Sequence, residues 1–260
     1  VNKTLIQWVK NPDGSQGYTW NPITGCLNGC PYCYARKLAN GRLRSRYLAN
    51  DNLAGGYPLA RGVLKENAIP PKADPFYPRF WRERLYHPWG GKPRGIFTCD
   101  MSDLFGVGIP SEWTETVLNL CRLHSENRYY LLTKQPQNLI NFSPFPPNCW
   151  VGVTVTEDSM MQSAYEALDC IIAKVKFISL EPYLSRLSDV NIKLIAGVEY
   201  YRWLDWLIIG SQTKPLKHPR FEYVEEIVNA ADRAGIPVFI KPPLCDAMNL
   251  HRQEMPNFKG

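Results

Sequence analysis

Cys26, Cys30 and Cys33 fall within eight positions, spaced C-x3-C-x2-C, with Tyr32 directly before the last. Thiolates are soft ligands that select zinc, copper(I) or iron–sulfur clusters. A closed zinc site wants four ligands, usually as two separated pairs. No second pair follows: the next cysteine, Cys99, is 66 positions on, and the nearest downstream histidine is His87. Three thiolates can instead each hold one iron of a [4Fe–4S] cluster. The fourth iron then lacks a protein ligand, and that open position is the one available for chemistry.

The elements that must position this loop begin after it. From residue 95, short apolar runs alternate with stretches of helical spacing. The runs are GIFTCD (95–100), RYYLLTK (128–134), CWVGVTVT (149–156), VKFISLEP (175–182), WLIIGSQ (206–212) and IPVFIKPP (236–243). Helices are predicted over 111–127, with Ser111 as N-cap, and over 221–235, ending at Gly235. Continuous apolar strands between helices predict a parallel sheet covered on both faces. With one more strand before Cys26, this suits an α/β barrel, partial or complete, or an open doubly wound sheet. Neither a G-x-G-x-x-G nor a P-loop motif is present, so dinucleotide and nucleoside-triphosphate readings lose support.

At 260 residues, 45% hydrophobic and 21% charged, the chain fits one domain over 1–260. No apolar run approaches the ~20 residues that cross a bilayer, so no membrane partner is expected. The opening residues lack the layout of a secretory signal, and the expected location is cytoplasmic. Cys99, Cys121, Cys149, Cys170 and Cys245 stand singly and read as small buried hydrophobes.

A Pro- and Gly-rich insertion at about 41–94 interrupts the alternation. Residues 34–94 hold thirteen Lys and Arg against four acids, a net of +9 that leaves −3 for the rest of the chain. Tyr47, Tyr57, Phe76, Tyr77, Phe80, Trp81, Tyr86 and Trp89 are interleaved with these cations. Such a pattern suits a surface that tracks phosphates and stacks bases; the other reading is a solvated basic face over a lid's own small core. A short helix is predicted over 76–87.

C-x3-C-x-aromatic-C early in a chain of β/α units resembles the radical S-adenosylmethionine (SAM) superfamily. The wider set WNPITGC, CPYCYA, SDLFG, LLTK, ISLEP and WLIIG resembles a small, phage-associated group within it. The resemblance runs from Trp20 to about Pro256. It implies a partial (β/α) TIM-type barrel of about six to seven parallel strands. The implied cofactors are a [4Fe–4S] cluster on Cys26, Cys30 and Cys33, and SAM on its open iron. An external one-electron reductant would start the reaction, and a 5′-deoxyadenosyl radical would abstract hydrogen from the substrate.

Functional groups of such barrels sit at the C-terminal ends of strands. Asp100, Ser102 or Asp103 would replace the absent glycine-rich motif that binds the SAM amino nitrogen. Thr154 and Thr156 end the fourth strand and suit a ribose hydroxyl; Thr133 and Lys134 end the third. Glu181 ends the fifth, free to pair with Lys134 or Lys241. Gly210, Ser211 and Gln212 complete the rim with Lys241. The Tyr32 backbone is expected against adenine, Tyr34 as packing, and Cys99 as a hydrogen-atom donor. The substrate is expected to be anionic, nucleic acid or nucleotide first, for which the superfamily offers a DNA-repair analogy. Radical modification of a peptide or partner protein is a second reading. A non-enzymatic, zinc-stabilised nucleic-acid-binding module, with a distant ligand such as His87, is a third.

Overall fold

The computed structural model of the chain describes residues 1–55, 71–86, 91–197, 203–213 and 215–257. Residues 56–70 and 87–90, with Tyr57, Arg61, Lys65, His87 and Trp89 of the basic insertion, lie outside the described set.

The N-terminal part supplies four short strands: β1 (Asn2–Lys3), β2 (Tyr18–Trp20), β3 (Ile23–Thr24) and β4 (Arg79–Phe80). The apolar runs then form β5 (Gly95–Thr98), β6 (Arg128–Thr133), β7 (Cys149–Thr154), β8 (Val175–Leu180) and β9 (Trp206–Ile209). A small hairpin, β10 (Gln212–Thr213) and β11 (Leu216–Lys217), precedes the last strand, β12 (Val238–Ile240). The eight-stranded main sheet runs β1-β2-β5-β6-β7-β8-β9-β12. Every neighbouring pair from β2 to β12 is parallel, and β1 lies antiparallel on β2. Its end strands, β1 and β12, do not pair, so the sheet is a partial barrel of seven parallel strands.

The alternation along each strand explains the two cores. On β6, Tyr129 and Leu131 face the helices while Tyr130 and Leu132 face the concave side, as a period of two requires. The outer layer packs Ile96, Val151, Ile178 and Leu207 under Val117, Leu168, Ile195 and Ile227. Those four belong to α3 (Ser111–Leu123), α4 (Met161–Cys170), α5 (Asp189–Ala196) and α6 (Phe221–Arg233), each following its strand; the earlier α1 (Tyr34–Asn40) and α2 (Arg44–Leu48) follow the cysteine loop, and α7 (Leu244–Met248) follows β12.

The concave side is stoppered by aromatic rings. Trp8, from the segment before β2, sits 5.2 Å from Phe97, 5.6 Å from Tyr130 and 5.9 Å from both Phe177 and Trp206, centroid to centroid. Gly152 makes room for this packing: a Cβ there would collide with the ring of Phe177.

Several expectations change. The cap of α3 is Pro110, without a side-chain hydrogen bond, and Ser111 is the first helical residue; the helix ends at Leu123, not 127. The helix expected over 76–87 does not form over 76–86, the part of it that is described: β4 and a 3₁₀ turn at Arg82–Arg84 take its place. The cause is tertiary. β4 pairs antiparallel with β3, and the fully buried Arg79 donates to the carbonyls of Asn50, Asp74 and Tyr77. Cys170 is exposed, whereas Cys99, Cys121, Cys149 and Cys245 are buried as expected. No helix among the described residues is long and apolar enough to cross a membrane.

Gly152→Ala forces a methyl group into the Phe177 ring. A destabilisation of roughly 1–3 kcal/mol is expected, seen as a lower urea midpoint at unchanged m.

Candidate active site

The cysteine loop leaves β3 through Gly25, whose φ of +89 suits glycine and whose close approach to the Tyr77 carbonyl leaves no room for a Cβ. The Gly25 N–H donates to the Met101 carbonyl (2.9 Å), and the Cys26 N–H to that of Phe76 (3.0 Å). The insertion and the end of β5 therefore grip the loop from two sides.

All three loop cysteines are half-buried, carry free thiols and line one cavity of about 350 Å³ at the C-terminal mouth of the barrel. Backbone N–H groups reach two of the sulfurs: Asn28 donates to Cys26 Sγ (3.4 Å), and Arg36 to Cys33 Sγ (3.3 Å), which caps α1. Burial, helped by the Asp103 carboxylate, pushes the Cys26 thiol up to about 12. Burial also raises Cys30, against the pull of Lys134. Metal loading here must displace protons from these thiols.

Donor chemistry and spacing test which metal suits the loop. Two thiolates on one tetrahedral zinc lie about 3.8 Å apart. The three loop sulfurs do not all converge within 4.8 Å of one another. Three thiols that open on one cavity without all converging on a single point, two of them touched by backbone N–H groups, suit a multi-iron cluster better than one zinc ion.

Asp100, Ser102 and Asp103 all line the cavity, and each is engaged by the protein. Asp103 accepts four hydrogen bonds: from Thr133 Oγ1 (2.7 Å), the Lys134 N–H (2.9 Å), Asn28 Nδ2 (3.0 Å) and the Phe105 N–H (3.1 Å). Ser102 Oγ donates to the Gly25 carbonyl (2.5 Å). Asp100 accepts from Asn21 Nδ2 (2.5 Å) and from the Tyr34 hydroxyl (3.2 Å), which also donates to the Asp100 carbonyl (2.7 Å). Burial raises the carboxyl of Asp100 and the phenol of Tyr34, whose residue as a whole is half exposed. These three side chains tie the cysteine loop to the end of β5. Tyr34 joins them as a tie rather than as simple packing.

The remaining strand ends divide. Thr154 lines the cavity, and its buried hydroxyl has no hydrogen-bond partner among the described residues; Ser179, its register neighbour on β8, is in the same state. Thr156 lies off the cavity wall, its hydroxyl donating to Met160 Sδ (3.4 Å) and meeting the phenol of Tyr32. Tyr32 is half-buried, and burial raises its phenol. Glu181 pairs with Lys241, not with Lys134, which stands separately on the cavity wall. Gly210 lets that pair lie against the backbone: a Cβ there would sit 3.1 Å from Glu181 Cγ and 3.2 Å from Lys241 Cδ. Ser211 is buried at the rim, 2.8 Å from His218 Nδ1. Cys99 is buried in the cavity wall with φ +64, a costly conformation for a non-glycine residue, and burial raises its thiol.

Sequence reasoning missed Asn21, Asn28, Ser179 and His218. Ser179 was within reach, because it shares the inward face with Glu181 two positions on. The side chains of the two asparagines meet groups about 75 to 107 positions away, which no local pattern reveals.

An open seven-stranded β/α barrel with a tri-cysteine loop over its mouth is the class defined by fold and site together. The chain belongs to the family described as "Protein of unknown function (DUF5131)", whose model matches residues 3–243. Among solved structures it is similar in fold to two single-residue variants of spore photoproduct lyase. The Cys→Ser variant superposes with a TM-score of 0.50 at 11% identity, covering 92% of this chain and 80% of the other. The Tyr→Phe variant gives 0.49 at the same identity and coverage. No curated protein matches.

Asp103→Ala removes an acceptor shared by two loops. A stability loss of roughly 2–4 kcal/mol is expected, together with faster labelling of the loop thiols by an alkylating reagent. Unchanged labelling would mean that the loop is held by other contacts.

Proposed function

We propose that this protein is a radical SAM enzyme, within the phage-associated group that its sequence resembles. The observation that carries the reading is the placement of Cys26, Cys30 and Cys33 around one cavity, without all three converging on a single point, at the mouth of an open β/α barrel. With a [4Fe–4S] cluster and SAM bound, and an electron from an external reductant, the site would supply a 5′-deoxyadenosyl radical able to abstract hydrogen from a substrate.

The chain's own residues then have distinct tasks. The three cysteines hold the cluster; free thiols throughout the described chain fit a reducing compartment such as the cytoplasm. Asp100, Ser102 and Asp103 position the loop instead of meeting SAM first-hand. The unpartnered hydroxyls of Thr154 and Ser179 await a polar ligand, and a ribose matches them. Lys134, Ser211 and the Glu181–Lys241 pair border the remaining space, where they would orient substrate. Cys99 keeps its S–H through burial, as a hydrogen-atom donor must.

For the substrate we propose an anionic molecule, nucleic acid first, held through phosphates rather than through stacked bases. Tyr47, Phe76, Phe80 and Trp81 are buried among themselves and the main core, so they serve the lid reading; Arg84 is spent on Trp81, 3.9 Å from its ring. Exposed cations remain on and beside the two helices after the loop: Lys37, Arg42, Arg44 and Arg46, with no acid between residues 34 and 50. Binding through them would weaken steeply with salt.

Anaerobic reconstitution should yield a brown protein with about four irons per chain, which forms 5′-deoxyadenosine from SAM and dithionite. Replacing any one loop cysteine by alanine should abolish the product. A colourless protein holding zinc on the loop sulfurs would sink the proposal and favour the zinc module.

Thr154→Val separates a ligand role from a structural one. Removing an unpaired buried hydroxyl should leave stability unchanged or raise it by up to about 1 kcal/mol, while SAM retention on gel filtration falls. If stability drops instead, the hydroxyl serves the fold.

A further inference from the structure

Cys245 stands alone in the sequence, after the last strand and beyond the residues matched by the family. In space it has company. Cys245, Asp246 and His251 bring Sγ, a carboxylate oxygen and a ring nitrogen within 4.8 Å of one another, the one such group of three among the described residues. Cys245 Sγ lies 3.5 Å from Asp246 Oδ1, and His251 Nδ1 lies 3.7 Å from the same oxygen. Bond lengths of about 2.3 Å for sulfur and 2.0–2.1 Å for nitrogen and oxygen put tetrahedral ligands roughly 3.4–3.6 Å apart. The two separations from the Asp246 oxygen are close to those of ligands around one small ion, and the third pair lies within 4.8 Å.

Backbone geometry holds the three groups in place. α7 ends at Met248, and Asn249 follows in the left-handed conformation with φ +51. The Asn249 N–H donates to the Asp246 carbonyl (3.2 Å), and the Leu250 N–H to the Cys245 carbonyl (3.0 Å). This reverse turn swings His251 back over the start of α7. The thiol is buried beneath, while the side chains of Asp246 and His251 are 63% and 62% exposed. The set is a soft anchor under two surface ligands, with a fourth position open to water.

We propose that Cys245, Asp246 and His251 form a structural site for a divalent, borderline-soft cation, zinc first. Thiolate, imidazole and carboxylate are the ligand types zinc shares, whereas magnesium and calcium avoid sulfur. The ion would clip the turn from which the chain returns along β12. That returning segment is antiparallel to the strand: the Ile240 N–H donates to the Arg252 carbonyl (2.7 Å) and the Glu254 N–H to that of Val238 (3.0 Å), with Phe239 bridged to Gln253. It covers an edge of the open sheet, and unpaired sheet edges are sites of aggregation. The inference does not rest on the cysteine loop or on the proposed activity.

The test uses the full chain, loaded with its cluster if one assembles, equilibrated with zinc chloride and desalted. About one zinc per chain should be retained, and zinc-edge absorption should find one sulfur at about 2.3 Å among nitrogen and oxygen ligands. Hundredfold saturation should raise the melting temperature by roughly 5–10 °C. His251→Gln, an exposed change that leaves the core intact, should lose both the zinc and the shift; Cys245→Ser should lose the sulfur signal. No retained zinc in the wild-type chain overturns the site. Zinc surrounded by three sulfurs overturns it too, and by placing the metal on the loop also overturns the proposed function; iron on the loop beside one-sulfur zinc supports both.

Discussion

One buried carboxylate organises the mouth of this barrel. Asp103 receives hydrogen bonds from the cysteine loop, from the end of β6 and from its own turn, so three chain segments meet at two oxygen atoms. A buried anion is tolerable only when such donors surround it. The requirement runs in both directions: the carboxylate needs the loop amide of Asn28, and the loop owes its height over the cavity to the carboxylate. Ser102 and Asp100 repeat the device on either flank. The short span after β5 is thus a clasp for the cysteine loop.

That clasp explains which parts of the molecule were legible in sequence. The strands were, because a parallel sheet covered on both faces demands unbroken apolar runs, and β5 to β9 and β12 fall inside the six runs read beforehand. The grouping of the three cysteines was too, because C-x3-C-x2-C puts them on one short loop, and that loop lines the cavity. The hydrogen bonds of Asp100, Ser102 and Asp103 were not. A carboxylate at a strand end looks the same whether it faces a ligand or an asparagine eighty positions away, and only folding decides. The Glu181–Lys241 pair was open for a similar reason, since Lys134 was an equal candidate until the strands were ordered in space.

The insertion shows a different failure. Its aromatic and basic residues alternate as a nucleic-acid surface would, yet Phe76, Phe80 and Trp81 are buried and Arg79 is fully enclosed by carbonyls. Composition records how many rings and charges a segment holds; it does not record which way they face. β4 pairs with β3 because the loop before Cys26 needs a neighbour, and that need overrides the helical pattern of 76–87. The described part of the insertion therefore belongs to the scaffold for the cysteines, with Arg42, Arg44, Arg46, Lys72, Arg82 and Lys92 left facing solvent.

The aromatic stopper beneath the cavity has a kinetic corollary. With Trp8 and its ring neighbours packed across the barrel at the foot of the chamber, and the three loop thiols in the chamber wall, a ligand cannot pass through the barrel from end to end. Whatever lodges deepest must arrive first and depart last. A polymer broader than the opening can present only a protruding part of itself, a lone side group or an everted unit, while its bulk stays outside against the charged helices.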